Sequence, residues 1–241
     1  MPPKKRQNNN KLAPLPLNVP MKAWSKPVTP PESTAPPSSS SAPTAQDLPP
    51  PGLIPSSLLA YWPTLSSRRN RICVFYGEKN PRFSSFSNFH PHPFSFVVPV
   101  GTNAGESHPV PCSEHAIMLS KASLFSDPVA FSQILAAPTP KDAKDLGRTV
   151  QNFEEQVWQE NVVDIAISVI RQKFNSSKTL CDVLTSTGIA LIAEAAPMDV
   201  VWGVGLGAKS NLICDPKNWR GANVLGHALM VVREELNGDQ V

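Results

Sequence analysis

Proline is so unevenly spread along this chain that it decides where a fold can begin. Of the 27 prolines in 241 residues, 16 precede residue 67 and 11 follow it. The first 66 residues include Pro30-Pro31-Glu32-Ser33-Thr34-Ala35-Pro36-Pro37 followed by four serines, and Pro49-Pro50-Pro51. Such a segment carries too little bulky apolar surface to offset its ordering entropy, and its triple proline favours polyproline II. Residues 1–66 therefore read as a disordered Pro/Ser-rich tail, and residues 67–241 as one domain that begins near Arg69. The charge divides at the same place. Up to Ser66 there are six cations (Lys4, Lys5, Arg6, Lys11, Lys22, Lys26) against Glu32 and Asp47, a balance of +4, so the whole-chain +3 leaves −1 for the domain. A domain without a net cationic field must bind any anionic ligand through a few placed cations. The Pro-Lys-Lys-Arg start reads as a solvated basic tail, with a nuclear-import or nucleic-acid patch as the alternative.

Several classes fall away. No apolar run reaches the ~20 residues a membrane-spanning helix needs, and no apolar segment follows the basic start to make a secretory signal. A cytoplasmic or nuclear location is the expectation. Cys73, Cys112, Cys181 and Cys214 are widely separated with no CxxC pair, which argues for free thiols rather than a disulfide framework or zinc ribbon. His90 and His92 have HxH spacing, but prolines flank them and no third ligand is evident, so no metal site is expected. No internal repeat is present.

Along the domain, Ile72–Tyr76 and Pro93–Val98 read as strands, with Thr102–Pro111 a turn region between strand and helix. Ser113 reads as the cap of a helix over Glu114–Phe125. Asp127-Pro128 opens a helix to about Ala136, and Thr139-Pro140 opens another that Gly147 closes. Asn152 reads as the cap of a long helix to Phe174, its apolar positions Trp158, Val162, Ile165 and Val169 following the 3.6 period. Ser177 begins a further helix ended by Thr187-Gly188, Ala190–Ala195 reads as a buried strand, and a last helix runs from about Gly221 to Leu236. The pattern is an α+β fold: a mostly helical single domain with a small β element.

Candidate chemistry lies at few points. Glu114 falls in the first turn of its helix, where unpaired backbone N–H groups face a carboxylate, after the stiff apolar approach Pro109-Val110-Pro111-Cys112. Asp199 and Glu194 are acids set between apolar segments. Lys121, seven residues after Glu114, lies two turns along the same helix face, and Arg148 follows a helix end. Gly203-Val204-Gly205-Leu206-Gly207-Ala208 lacks the following helix and acid of a dinucleotide fingerprint, so its glycines serve close backbone approach instead.

In order and spacing these motifs resemble the NADAR, or YbiA-like, family over about residues 72–236. The resemblance is carried by Ser87-Asn88-Phe89, Ser113-Glu114-His115, Lys121-Ala122, Asp127-Pro128, Ala143-Lys144-Asp145-Leu146-Gly147-Arg148, Trp158, Lys173-Phe174, Glu194, Ala196-Pro197-Met198-Asp199, Trp202-Gly203-Val204-Gly205 and Trp219–Gly226. It implies an N-glycosidase that needs no metal and no cofactor, cleaving a C–N bond at a ribosyl carbon. The substrate would be a ribosylamino-pyrimidine phosphate of riboflavin biosynthesis or ADP-ribosylated guanine in nucleic acid. By the same resemblance Glu114 and Asp199 are the catalytic acids. Ser87, Asn88, Lys121, Arg148, Trp158, Trp202 and Gly203 are the ligand contacts. The competing expectation is a non-catalytic module that binds ADP-ribose or a nucleotide and would not need both acids.

Overall fold

The computed structural model describes residues 72–78 and 81–238; the expected tail over residues 1–66 and the domain start near Arg69 lie outside the described residues. The fold is α+β, as the sequence predicts. Among the described residues there are four short strands, β1 (Ile72–Phe75), β2 (Phe94–Val97), β3 (Ser107–Val110) and β4 (Leu191–Glu194), and six α-helices, α1 (Ser113–Leu124), α2 (Pro128–Leu135), α3 (Pro140–Gly147), α4 (Glu155–Asn175), α5 (Lys178–Thr185) and α6 (Val224–Gly238). Among the described residues no helix is long and apolar enough to cross a membrane.

The strands form two pairs. β1 and β4 are parallel, in register from Ile72 opposite Leu191 to Phe75 opposite Glu194. β2 and β3 are antiparallel, Phe94 opposite Val110, with Phe94 and Phe96 turned inward and Ser95 and Val97 outward. β3 corrects the expectation of a turn region over Thr102–Pro111. Pro109 hides the strand from sequence reasoning, since proline cannot donate to a ladder; it is tolerated because both strands of a two-stranded sheet are edges.

The proline-led helix starts form as predicted. Asp127 accepts the Ala130 amide at 2.9 Å, and Thr139 Oγ1 accepts the Asp142 amide at 3.1 Å. Two predicted caps do not. Ser113 is itself the first helical residue, behind an extended Cys112, because the Glu114 N–H is taken by the Asn88 carbonyl at 2.9 Å. Asn152 adopts a left-handed φ of 56° and α4 starts only at Glu155, after Glu154. The second Asp127 oxygen accepts the Gln151 amide at 2.9 Å, which pins the chain ahead of α4.

α1 is buried on all sides apart from Lys121 and Leu124, as expected of a central helix; it packs against α2, α3 and α4, while α4 packs against α6. One apolar cluster joins β1 and β4 to α4, α5 and α6 around Phe86, Ile170, Phe174 and Leu229. A second joins α1, α2 and α3 to the β2–β3 pair. Trp158 and Trp202, both partly buried, pack against both clusters. The N-terminus of α1 and the chain leaving β4 are brought together at this seam.

Candidate active site

Glu114 occupies the first turn of α1 and is 5% exposed. Its amide is held by Asn88 in a segment that is itself fixed. Ser87 Oγ accepts the Phe89 amide at 3.2 Å, and a 3-10 turn over Ser84–Phe86 anchors Phe86 in the core. Phe86 stacks on Phe83 and meets Phe75 edge-on. Burial pushes the Glu114 carboxyl up to about 7; Lys144 and Arg148 pull it down, and the charge of Asp199 adds to the rise.

Glu194 ends β4 and belongs to the same neighbourhood. Burial pushes its carboxyl up to about 7 as well, with Asp199 and Glu114 raising it and Lys144 lowering it. Its position is set by Asn223, a left-handed residue with φ 53° just ahead of α6. The Asn223 side chain accepts the Glu194 amide at 3.1 Å and donates to the Ile192 carbonyl at 2.9 Å, replacing a neighbouring strand. After β4 the chain turns through Ala195–Asp199 and folds back. Asp199 Oδ1 accepts the amides of Val201 at 3.1 Å and Trp202 at 2.8 Å, a closed Asx-type turn that orients the loop. Gly203 lies so close to the strand end that a Cβ there would stand 2.7 Å from the Ala196 Cβ and 2.9 Å from the Glu194 carbonyl oxygen. The glycine thus permits close backbone approach, as the sequence suggests for this run.

The cations are arranged differently from the expectation. Lys121 donates to the Gly147 carbonyl at 2.8 Å and lies over the rings of Phe153, at 4.1 Å, and Trp158, at 5.6 Å. It caps the negative end of α3 and steadies Trp158. The charges that act on Glu114 come instead from α3: Lys144, which lies 5.7 Å from the Phe89 ring centroid, and Arg148. Arg148 is paired with Asp145 at 2.9 Å yet its side chain is 68% exposed, so it can turn to an anion. Removal of the Lys144 charge, as in Lys144→Met, is expected to move the titration of both Glu114 and Glu194 upward. Carbon-13 NMR of the carboxyl groups would check this, and an unmoved pair would refute the shared neighbourhood.

Among the described residues, the buried side-chain atoms without a hydrogen-bond partner include Asn88 Oδ1, Ser113 Oγ and Glu194 Oε2. Their residues adjoin Glu114 by hydrogen bond, in the chain and through charge, respectively. Buried polar atoms are rarely left unpaired, so these atoms are candidates for bonding to a polar ligand. Hydrogen bonds and charges thus put the predicted Ser87, Asn88, Glu114, Arg148 and Asp199 in one neighbourhood, and Trp158 and Trp202 sit where the two apolar clusters meet. The structure adds Lys144 and Asn223, which the sequence reading did not single out, and Glu194, which that reading held as a candidate acid without giving it a role in the site. Glu194 carries a sequence signal, an acid within an apolar run; Lys144 and Asn223 show none apart from the family pattern.

Glu114, buried, and Glu194, half-buried, are both raised toward neutrality with cations nearby, an arrangement suited to acid–base chemistry. Residues 74–237 match the NADAR domain, and the chain belongs to that family. It is 36% identical over 148 residues to a protein named N-glycosidase R617 from Acanthamoeba polyphaga mimivirus, covering 60% of this chain and 87% of the relative. It is 31% identical over 183 residues to the chloroplastic riboflavin biosynthesis protein PYRR of Zea mays, covering 73% of this chain but 27% of that protein. The NMR structure of the E. coli protein YbiA superposes with a TM-score of 0.54 at 25% identity, covering 71% of this chain and 88% of that one.

Proposed function

We propose that the protein is a hydrolase acting on N-glycosyl compounds, an N-glycosidase that cleaves the bond between a ribosyl carbon and a base nitrogen in a phosphorylated ribosyl or ADP-ribosyl compound. The observation that carries this reading is the pair of carboxyls, Glu114 buried and Glu194 half-buried, each raised to about 7 beside Asp199. With both carboxyls raised toward neutrality by burial, the protonated and the ionised form of each are accessible near neutral pH.

That state suits C–N cleavage. As the bond breaks, its electron pair goes to the leaving nitrogen and positive charge grows on the ribosyl carbon and ring oxygen. The protonated carboxyl gives its proton to the leaving nitrogen. The ionised one, with Asp199, stabilises the developing cation and takes a proton from the water that adds to the carbon. Asn88 Oδ1 and Glu194 Oε2 can accept from sugar hydroxyls. Ser87 helps hold the segment that presents Asn88, and Gly203 lets the Asp199–Trp202 loop close on the strand end. Arg148 takes the phosphate, Lys121 supports the wall through Trp158, and Trp202 forms the opposite face. Relatives named as N-glycosidases and as a riboflavin biosynthesis protein support the same class of bond.

The test is to incubate the full chain separately with ADP-ribosylated guanosine and with a ribosylamino-pyrimidine phosphate, and to separate the products. Release of the sugar moiety from nitrogen in either arm supports the reading and selects the substrate. Release in neither, with ADP-ribose still bound, would favour the non-catalytic binding module.

A further inference from the structure

Lys173 is the one lysine of the described residues that is 0% exposed, and the site described above does not use it. It lies near the end of α4. Its Nζ donates to the Ser85 carbonyl at 2.8 Å and to the Ser87 carbonyl at 3.1 Å. No carboxylate is within ion-pair distance of it among the described residues. The titratable groups that sense it are Cys112, His90 and His92, all on the segments flanking Asn88 and Glu114. His92 is occupied with Ser176 Oγ at 2.9 Å. Burial pushes the Lys173 ammonium down to about 7, with the Cys112 thiol opposing.

A buried cation without a counter-ion is a poor choice for stability alone, because a well-packed apolar side chain of similar volume is often as good or better. Its location makes the choice worse. Cys112 is the cap residue of α1, so Lys173 stands beside the positive end of that helix dipole. What the lysine does achieve is local. Its two donors tie down consecutive turns of the Ser85–Ser87 backbone, and the next carbonyl, that of Asn88, accepts the Glu114 amide at 2.9 Å. Asn88 also carries one of the unpaired buried oxygens. A single ammonium thus fixes, through one short stretch of backbone, both a carboxyl group and an unpaired buried oxygen.

We infer that Lys173 is a positioning residue that sets Glu114 and Asn88 through the Ser85–Ser87 carbonyls. The catalytic part of this inference rests on the N-glycosidase reading; the positional part does not. Lys173→Met removes the donors and keeps the bulk. It is expected to lower kcat/KM about 100-fold, the scale of a misplacement near 1 Å, with the loss divided between kcat, through Glu114, and KM, through Asn88. Hydrogen exchange of the Glu114 amide should quicken about tenfold or more, while the Ala195 amide, bonded to the Phe75 carbonyl at 2.7 Å, stays as protected as in the wild type. Lys173→Gln keeps two N–H donors without the charge and should fall between the two in both readouts; it also serves if the Met variant does not fold. The inference is overturned if a folded variant keeps wild-type protection at Glu114, or if protection is lost equally at Glu114 and Ala195. If the wild type releases sugar from neither substrate, the catalytic reading fails while the exchange measurement still decides whether Lys173 holds Glu114.

Discussion

Glu114→Gln is expected to lose about 10²–10⁴-fold in kcat, the range for a positioned general acid or base, while becoming more stable above neutral pH. The amide copies the shape and hydrogen-bonding span of the carboxyl but can neither deliver nor take up a proton, so KM should change far less than kcat. The stability effect follows from the direction of the shift. The carboxyl is raised from an ordinary 4.5 to about 7, so the folded state holds the proton more tightly than the unfolded chain does. Stability from this group is complete below 4.5 and is lost as pH rises through 7. Removing the charge lifts that burden, by up to about 3 kcal/mol above neutrality at ~1.4 kcal/mol for each unit of pKa. Glu194 is raised in the same direction. His227, driven down to about 4 by burial, acts with the opposite sign, contributing stability above 6.5 that is lost as pH falls through 4. The comparison of variant and wild type is therefore more informative than the overall pH profile. Denaturant melts at about pH 6 and pH 8 would show the gap opening with pH. A variant that loses activity and stability together would argue for a structural carboxylate instead.

Gly221→Ala is expected to cost about 1–3 kcal/mol, as inserted carbon does in a packed site, and about 100-fold in kcat/KM through displacement of the acid loop. A Cβ at position 221 would stand 2.2 Å from the Gly203 carbonyl oxygen and 2.9 Å from both Cα and carbonyl oxygen of Val200. These are backbone atoms, so no rotamer change relieves the contact. The loop cannot retreat either, because Gly203 is already pressed against Ala196 and Glu194. The Ala222 amide bonds the Val200 carbonyl at 2.8 Å and the Asn223 amide bonds the Gly203 carbonyl at 3.1 Å. A forced shift therefore reaches Asp199, whose carboxyl is set by the Val201 and Trp202 amides, and Asn223, which holds Glu194. Thermal melts with kinetics would show both losses; wild-type kinetics in a destabilised variant would uncouple the loop from the chemistry.

Sequence reasoning succeeded where the signal was local. Asp127-Pro128 and Thr139-Pro140 declare helix starts by themselves, since the cap and the proline act within one turn. It failed where a distant partner replaced the local one. Ser113 has the chemistry of a cap, but Asn88, far back in the chain, satisfies the α1 N-terminus. Asn152 likewise reads as a cap, yet Asp127 captures the neighbouring amide and the chain turns left-handed before α4. The site divides in the same way. Glu114 stands out in the sequence as a candidate from its place at a helix start, and Asp199 from its apolar surroundings, while their proposed roles come from the family resemblance. The spacing of Lys121 correctly gives its face of α1, but the direction of a long side chain is a tertiary matter, and it turns to the end of α3. Lys144 reaches the carboxyls from that other helix. Glu194 is visible as an acid in an apolar run, but only the pairing of β4 with β1 and the Asn223 clamp decide where it sits.

The central claim is that a carboxyl pair poised near neutrality cleaves a C–N glycosidic bond. It is tested most directly by the pH dependence of sugar release by the full chain, from about pH 5 to 9, for the wild type, Glu114→Gln and Glu194→Gln. The account predicts a wild-type kcat/KM shaped by ionisations near 7, with that dependence removed in Glu114→Gln and altered in Glu194→Gln. A wild-type rate that is flat across the range, or an unchanged profile in both variants, would contradict it.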